Sequence, residues 1–267
     1  MLWITLLLGN PGSLCSIWLT LFCIARWSLV PSDRRRTELL LVVALLSGPL
    51  IGAVRLITIG LAHLRRARYD LYVYRIDAFF GQPSFVLGRW LISHPALRSV
   101  LDFSYNFLPT MMIGVFAAYL WLRPVPEMLR VVRAFVLNLA AAVPIYLLIP
   151  VSGPYFAFAD FPARQAGVVP HTLWLTAIPN GIPSVHMSTA LLISWFLRRW
   201  TMGNILASLY LALTVLATLG SGEHYLFDLL CAVPYAIAIY YGSAYPWRRS
   251  AVAAPDRLVT SHAEVCK

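Results

Sequence analysis

The chain has 267 residues, of which 60% are hydrophobic and only 12% are charged. Soluble domains carry about 25% charged residues, so this composition excludes an ordinary soluble domain and predicts an integral membrane protein. The net charge is +10, and Lys267 is the only lysine. The arginines lie beside the apolar runs, which indicates membrane orientation and contact with anionic lipid rather than nucleic-acid binding.

The apolar runs are about 20 residues long, which favours transmembrane helices over a β-barrel. In chain order they predict N-terminal transmembrane helices over residues 1–62 and a transmembrane core over residues 104–246. Residues 63–103 are too polar to cross and mix aromatic residues with arginines, which predicts an interfacial, extracytoplasmic amphipathic segment. Residues 247–267 are predicted to form a cytoplasmic tail. The predicted fold is an all-α polytopic membrane bundle with six to seven transmembrane helices.

The distribution of arginines also predicts an orientation. The arginine-rich loop after the first span is placed in the cytoplasm by the positive-inside rule. The loop before His186 and the turn before His224 then fall on the same, extracytoplasmic face. The small size of the chain and its few loops favour a bacterial plasma membrane.

Two short stretches put ionisable side chains where a membrane protein avoids them unless they have a function. His224 and Asp228 are four residues apart, so on a helix they share one face. The carboxylate can fix the tautomer of His224 and leave its other nitrogen as a nucleophile. His186 follows Pro183, which suits a first helical position, and the helix start with the Ser184 hydroxyl suits a phosphate. A protonated His186 can give its proton to a departing alkoxide.

These residues carry a resemblance to a known family. The sequence Pro183-Ser184-Val185-His186 resembles the Pro-Ser-Gly-His signature of the type 2 phosphatidic acid phosphatase superfamily, and His224-Tyr225-Leu226-Phe227-Asp228 resembles its His-x-x-x-Asp signature. The replaced glycine and the His-Tyr pair are more similar to the branch of inositol phosphorylceramide synthases and inositolphosphotransferase-like proteins. The stretch Pro150-Val151-Ser152-Gly153-Pro154-Tyr155 is similar to a loop of that branch, which suggests Gly153 and Tyr155 as substrate-binding residues.

The resemblance implies a lipid phosphatase or phosphotransferase that needs no metal and no other cofactor. His224 would attack phosphorus, Asp228 would orient it, and His186 would protonate the leaving group. The implied substrates are a lipid phosphate donor and, as acceptor, water or a lipid or polyol alcohol. Phosphatidate, polyprenyl phosphate, lipid sugar phosphate and phosphoinositide-type donors all fit.

The superfamily's phosphate-binding cations are not in their usual places. Since Lys267 is the only lysine, the Lys-x6-Arg-Pro signature does not exist here, and Thr218 stands where an arginine precedes the last histidine. Transfer of a phosphoryl group needs positive charge near its oxygens. The candidates from the sequence are Arg55, then Arg164, then the arginines over residues 65–68.

Other interpretations stay open at this point. A lipid transporter or scramblase also explains the spans and the basic patch, but not the histidines on one face. A metal hydrolase would use His186, His224 and two carboxylates, although Glu223 and Asp228 cannot both share a face with His224. An intramembrane serine protease would use Ser184. Glu223 is interpreted as an acid at a helix start, favoured by the helix dipole.

Overall fold

The computed structural model describes residues 34–244, apart from several side chains of its first helix. The structure is mostly helical, with 74% of residues in helices. The helices are α1 (Arg34–Leu64), α2 (Asp70–Asp77), α3 (Pro83–Ile92), α4 (Pro95–Asn106), α5 (Leu108–Leu122), α6 (Val125–Leu148), α7 (Pro154–Ala157), α8 (Val185–Leu197), α9 (Thr201–Gly220) and α10 (Leu226–Ala244). A 3-10 turn over Ala78–Phe80 follows α2, and β1 (Ala67–Arg68) pairs antiparallel with β2 (Leu173–Trp174).

Three helices within residues 34–244 are long and apolar enough to cross a membrane: α6, α9 and α10. The count rises to four when α4 and α5 are taken as one bent span. The helical class and membrane character are confirmed, whereas six to seven spans are not. The first predicted span and the predicted tail lie outside the described residues.

The predicted transmembrane core begins at residue 104, and the structure differs from the prediction at this point. The chain forms two helices, α4 and α5, which meet at Phe107 with a bend of 49°. Pro109 explains the break, because it has no backbone N–H to continue the ladder of hydrogen bonds. The boundary predicted after residue 103 therefore falls inside α4.

The largest hydrophobic cluster lies where α5, α6 and α8 meet. It contains fully buried side chains such as Val131, Phe135 and Leu192, and it extends to Ile239 of α10. A buried polar network lies in the same bundle: Asn138 donates to Thr189 (2.9 Å) and accepts from Ser188 (2.8 Å). Such interhelical hydrogen bonds join helices in a bilayer, and here they fix α8 against α6.

Candidate active site

His224 and Asp228 form a buried pair between α9 and α10. The Nδ1 atom of His224 lies 3.3 Å from an Asp228 carboxylate oxygen, and the two side chains are 1% and 0% exposed. The same oxygen accepts a hydrogen bond from the Tyr225 backbone N–H at 2.9 Å. Because Nδ1 faces the carboxylate, Nε2 is the imidazole nitrogen left for chemistry. The predicted pairing of these two residues is present in the structure.

His186 lies across from this pair at the first turn of α8. Its ring centroid is 6.5 Å from that of His224. Tyr105 of α4 stacks on His186 at 4.0 Å, and its hydroxyl lies 3.2 Å from His186 Nδ1. Tyr105 therefore orients the ring through its stacking and its hydroxyl at Nδ1, and no described residue forms a hydrogen bond with His186 Nε2. The sequence analysis did not identify Tyr105, because nothing local connects positions 81 residues apart.

The start of α8 differs by two residues from the prediction. Val185, not Pro183, is the first helical residue. Ser184 is the N-cap, and its hydroxyl accepts the Met187 backbone N–H at 3.3 Å. Pro183 precedes the helix, and its carbonyl accepts a hydrogen bond from Tyr146. Ser184 is fully buried. Its capping role is a structural one, so substrate contact by its hydroxyl stays a prediction.

The loop before α7 packs directly on the turn that carries His224. Gly153 has φ +105°, and a Cβ there would overlap with the carbonyl oxygen of Glu223. The Tyr155 N–H donates to the Gly222 carbonyl at 2.9 Å, while the Tyr155 side chain is 59% exposed. The structure thus brings Gly153 and the Tyr155 backbone beside the turn that carries His224. Their predicted contact with substrate stays a prediction.

Both histidines line a mostly apolar cavity of about 270 Å³. Its walls come from α1, α5, α6 and α8, and include Val54, Met112, Leu139 and Tyr146. No lysine or arginine is among the described residues that line it. The two histidines therefore stand in the wall of a space that is lined mostly by apolar side chains.

The predicted cations have different surroundings. Arg164 is exposed and donates to the Gly81 carbonyl. Arg68 is fully buried, and its nitrogens donate to the Ser152 hydroxyl (2.9 Å) and to the carbonyls of three other residues: Arg65, Ala67 and Ala177. Arg68 is therefore engaged as an anchor for the loop. The Arg55 side chain lies outside the described residues, so its role also stays a prediction.

Sequence analysis missed two buried carboxylates on α2. Asp70 accepts the backbone N–H groups of Ser152 (3.1 Å) and Gly153 (2.8 Å), and Asp77 accepts two N–H groups at the start of α10. Burial raises the pKa of Asp70 to about 7 and that of Asp77 to about 6. A signal existed in the sequence: two acidic residues seven apart, in a stretch otherwise rich in arginine.

Glu223 has a different environment from the predicted one. It lies in the turn before α10 and not at the helix start. The first two backbone N–H groups of α10 donate to Asp77 instead. Burial raises the pKa of the Glu223 carboxyl. Among residues 34–244, no group of three or more His, Cys, Asp or Glu side chains has the arrangement of a metal site.

Long apolar helices around a buried His-Asp pair, which faces a second histidine at one cavity, define an integral membrane protein with a polar centre inside its helical bundle. The PAP2 superfamily profile matches residues 72–242. This stretch covers more than half of the chain and contains both histidines, so the protein belongs to the PAP2 superfamily. Membership points to a phosphatase-type activity. No curated protein and no solved structure matches the chain.

Proposed function

We propose that this protein is a membrane lipid phosphatase or phosphotransferase that works through a phosphohistidine. The proposal is carried by one observation: His224 with its Asp228 partner faces His186 across a cavity lined by apolar side chains. The ring centroids are 6.5 Å apart, so both histidines could act on one phosphoryl group at this place. A packing histidine would not need a buried carboxylate partner and an opposing histidine at the same cavity.

The first step forms the phosphoenzyme. The lone pair of His224 Nε2 attacks phosphorus, and the bond from phosphorus to the ester oxygen breaks. The leaving oxygen takes its proton from His186, which is the general acid. Asp228 stabilises the positive charge that His224 gains. Atoms and charge balance without a further reagent.

The second step releases the group from the enzyme. The hydroxyl of water or of an alcohol attacks phosphorus, the N–P bond breaks, and neutral His186 accepts the hydroxyl proton. Transfer to an alcohol is supported by the likeness of the Pro-Ser-Val-His and His-Tyr stretches to the inositolphosphotransferase-like branch. We propose a phosphoryl group or phospho-headgroup as the transferred unit.

The cavity supports a lipid as the donor. A hydrocarbon chain in this space is removed from water, which favours binding by about 25 cal/mol per Å² of buried apolar surface. We place the site at the extracytoplasmic face of a bundle with six to seven spans, in a bacterial plasma membrane. The asymmetry of the arginines supports this orientation.

The deciding experiment uses purified protein in detergent with chelator and a set of radiolabelled lipid phosphates. Each donor is incubated with and without a lipid alcohol, and free phosphate is separated from new phospholipid. His224→Ala should abolish both products, and His94→Ala, a change of an exposed histidine, should leave them unchanged.

The two products separate the proposed activities. Free phosphate alone identifies a phosphatase, and new lipid that requires the alcohol identifies a transferase. Turnover that survives His224→Ala would overturn the mechanism. No product from any donor, combined with movement of lipid between leaflets in vesicles, would identify a transporter instead.

A further inference from the structure

We propose that α2 is a positioning element for the catalytic centre, in which Asp70 and Asp77 hold two separate loops in register around His224. This inference rests on the proposed function. The two carboxylates are seven residues apart, which is two helical turns, so they share one face of α2. Both are buried, at 0% and 1% exposure. Among the described residues, no other helix has side chains that accept backbone N–H groups from both the loop before α7 and the start of α10.

Asp77 fixes the start of α10, the helix that carries Asp228. One of its oxygens accepts the Leu226 N–H at 2.8 Å, and the other accepts the Phe227 N–H at 2.9 Å. These N–H groups have no acceptor inside the helix, so a carboxylate at this place sets where α10 begins. Asp228 lies one residue further and holds His224.

Asp70 fixes the loop that packs on the nucleophile's turn. It accepts the N–H groups of Ser152 and Gly153, and the Tyr225 hydroxyl donates to it at 3.4 Å. Tyr225 is the residue after His224. Asp70 is thus hydrogen-bonded both to the loop that contains Gly153 and to Tyr225, which follows the turn that this loop contacts.

A neighbouring helix completes the support. Ser84 of α3 donates its hydroxyl hydrogen to the His224 carbonyl at 2.9 Å. The His224 N–H donates to the Thr218 carbonyl at 3.2 Å. The backbone of His224 is therefore held on both sides, and its side chain is free to move only through its χ angles. Such support keeps a nucleophile within the narrow geometry that an in-line attack requires.

The carboxylates act through other residues rather than on substrate. Both oxygens of Asp77 are already engaged by N–H groups, and neither aspartate lines the cavity. Removing Asp77 should therefore displace His224 and slow the chemical step, while the space for the lipid is unchanged. A misplacement of about 1 Å costs on the order of a hundredfold in rate.

The test compares Asp77→Ala and Asp77→Asn with Asp102→Asn, a matched change at an exposed aspartate of α4. For each protein we would measure kcat and KM on one lipid phosphate, together with hydrogen exchange of the peptide over residues 222–230. We expect Asp77→Ala to lower kcat about a hundredfold with KM within about threefold. Asp77→Asn keeps one acceptor oxygen, so part of kcat should return. The control should match the wild type.

Hydrogen exchange separates this inference from the proposed function. Faster exchange at residues 222–230 in both Asp77 variants supports the positioning role even when no lipid phosphate is turned over. Wild-type exchange in this peptide would overturn it. A folded Asp77 variant whose kcat stays within twofold of the wild type would also overturn the positioning role. If Asp77→Ala does not fold, the same two measurements on Asp77→Asn test this role.

Discussion

His186 and His224 face one cavity but have different hydrogen-bond partners. His224 has a carboxylate on Nδ1, whereas His186 has the phenol of Tyr105. A carboxylate favours a proton on the adjacent nitrogen and makes the other one a nucleophile, while a phenol beside an imidazole carries no charge. In the proposed mechanism these partners favour His224 as the nucleophile and His186 as the acid.

This assignment predicts a dependence on the leaving group. His186→Ala should retain phosphoenzyme formation from a nitrophenyl ester, because nitrophenolate leaves without a proton. It should lose at least about a hundredfold with an alkyl ester, in line with the usual contribution of general acid catalysis. Single-turnover rates on the two esters provide the measurement. Equal losses on both would remove the acid role.

Gly153 predicts a sharp effect of one methyl group. Its backbone conformation is nearly confined to glycine and costs other residues about 1–3 kcal/mol, and a Cβ would also meet the Glu223 carbonyl. Gly153→Ala should lower the melting temperature and inactivate the protein. Gly114→Ala in α5, where no atom lies within 4 Å of the added carbon, is the control. A variant at Gly153 that melts like this control would contradict the expectation.

At the scale of residues, the sequence predicts contacts between side chains that are close together along the chain. His224 and Asp228 are one helical turn apart, so their pairing follows from the chain itself. Asp77 and Leu226 are 149 residues apart, and Tyr105 and His186 are 81 apart. Such pairs depend on how helices pack, which single-residue patterns do not encode.

At the scale of elements, α2 makes stability depend on pH. Burial raises the pKa of Asp70 from its ordinary value of about 4 to about 7. The Gly153 and Ser152 N–H groups and Arg68 oppose this shift, while Asp228 adds to it. The folded protein therefore binds this proton more tightly than the unfolded chain. The resulting stabilisation is complete below about pH 4 and is lost as pH rises through about 7.

We therefore expect the melting temperature of the wild type to fall between pH 5 and pH 8 more than that of Asp70→Asn. The difference between the two proteins corresponds to at most about 3 kcal/mol, at 1.36 kcal/mol for each of the roughly two pH units between pH 5 and the pKa of about 7. Parallel melting curves across this range would show that Asp70 does not titrate in the folded state. Asp102→Asn should follow the wild type.

The cavity beside α6 predicts a selective effect on long-chain substrates. Leu139 lines the cavity, and a tryptophan in its place fills part of it. Leu139→Trp should lower kcat/KM on a long-chain lipid phosphate about tenfold, equivalent to roughly 1.4 kcal/mol. Hydrolysis of nitrophenyl phosphate, which has no chain, should be nearly unchanged.

Val136→Trp is the matched control for this change. Val136 is one turn earlier on α6, 42% exposed, and not part of the cavity wall. Equal effects of the two substitutions on the long-chain substrate would argue against the cavity as the chain's binding place.

At the scale of the whole molecule, the expected orientation can be measured with cysteines. Arg164 precedes α8 and Arg198 follows it, and both are exposed. In a background without the four native cysteines, Arg164→Cys should react with an impermeant maleimide added to intact cells. Arg198→Cys should react only after the membrane is opened. Labelling of both from the same side would contradict the topology.

The shortness of α8 has a consequence for the membrane itself. Its 13 residues extend about 20 Å, whereas the hydrocarbon core is about 30 Å thick. We expect Arg198 and Arg199 to lie at one interface, which would put His186, at the other end of α8, about 10 Å inside the opposite boundary. Thinning of the surrounding lipid would bring phosphate groups closer to the histidines. We therefore expect turnover of a lipid phosphate to depend on the thickness of the surrounding bilayer.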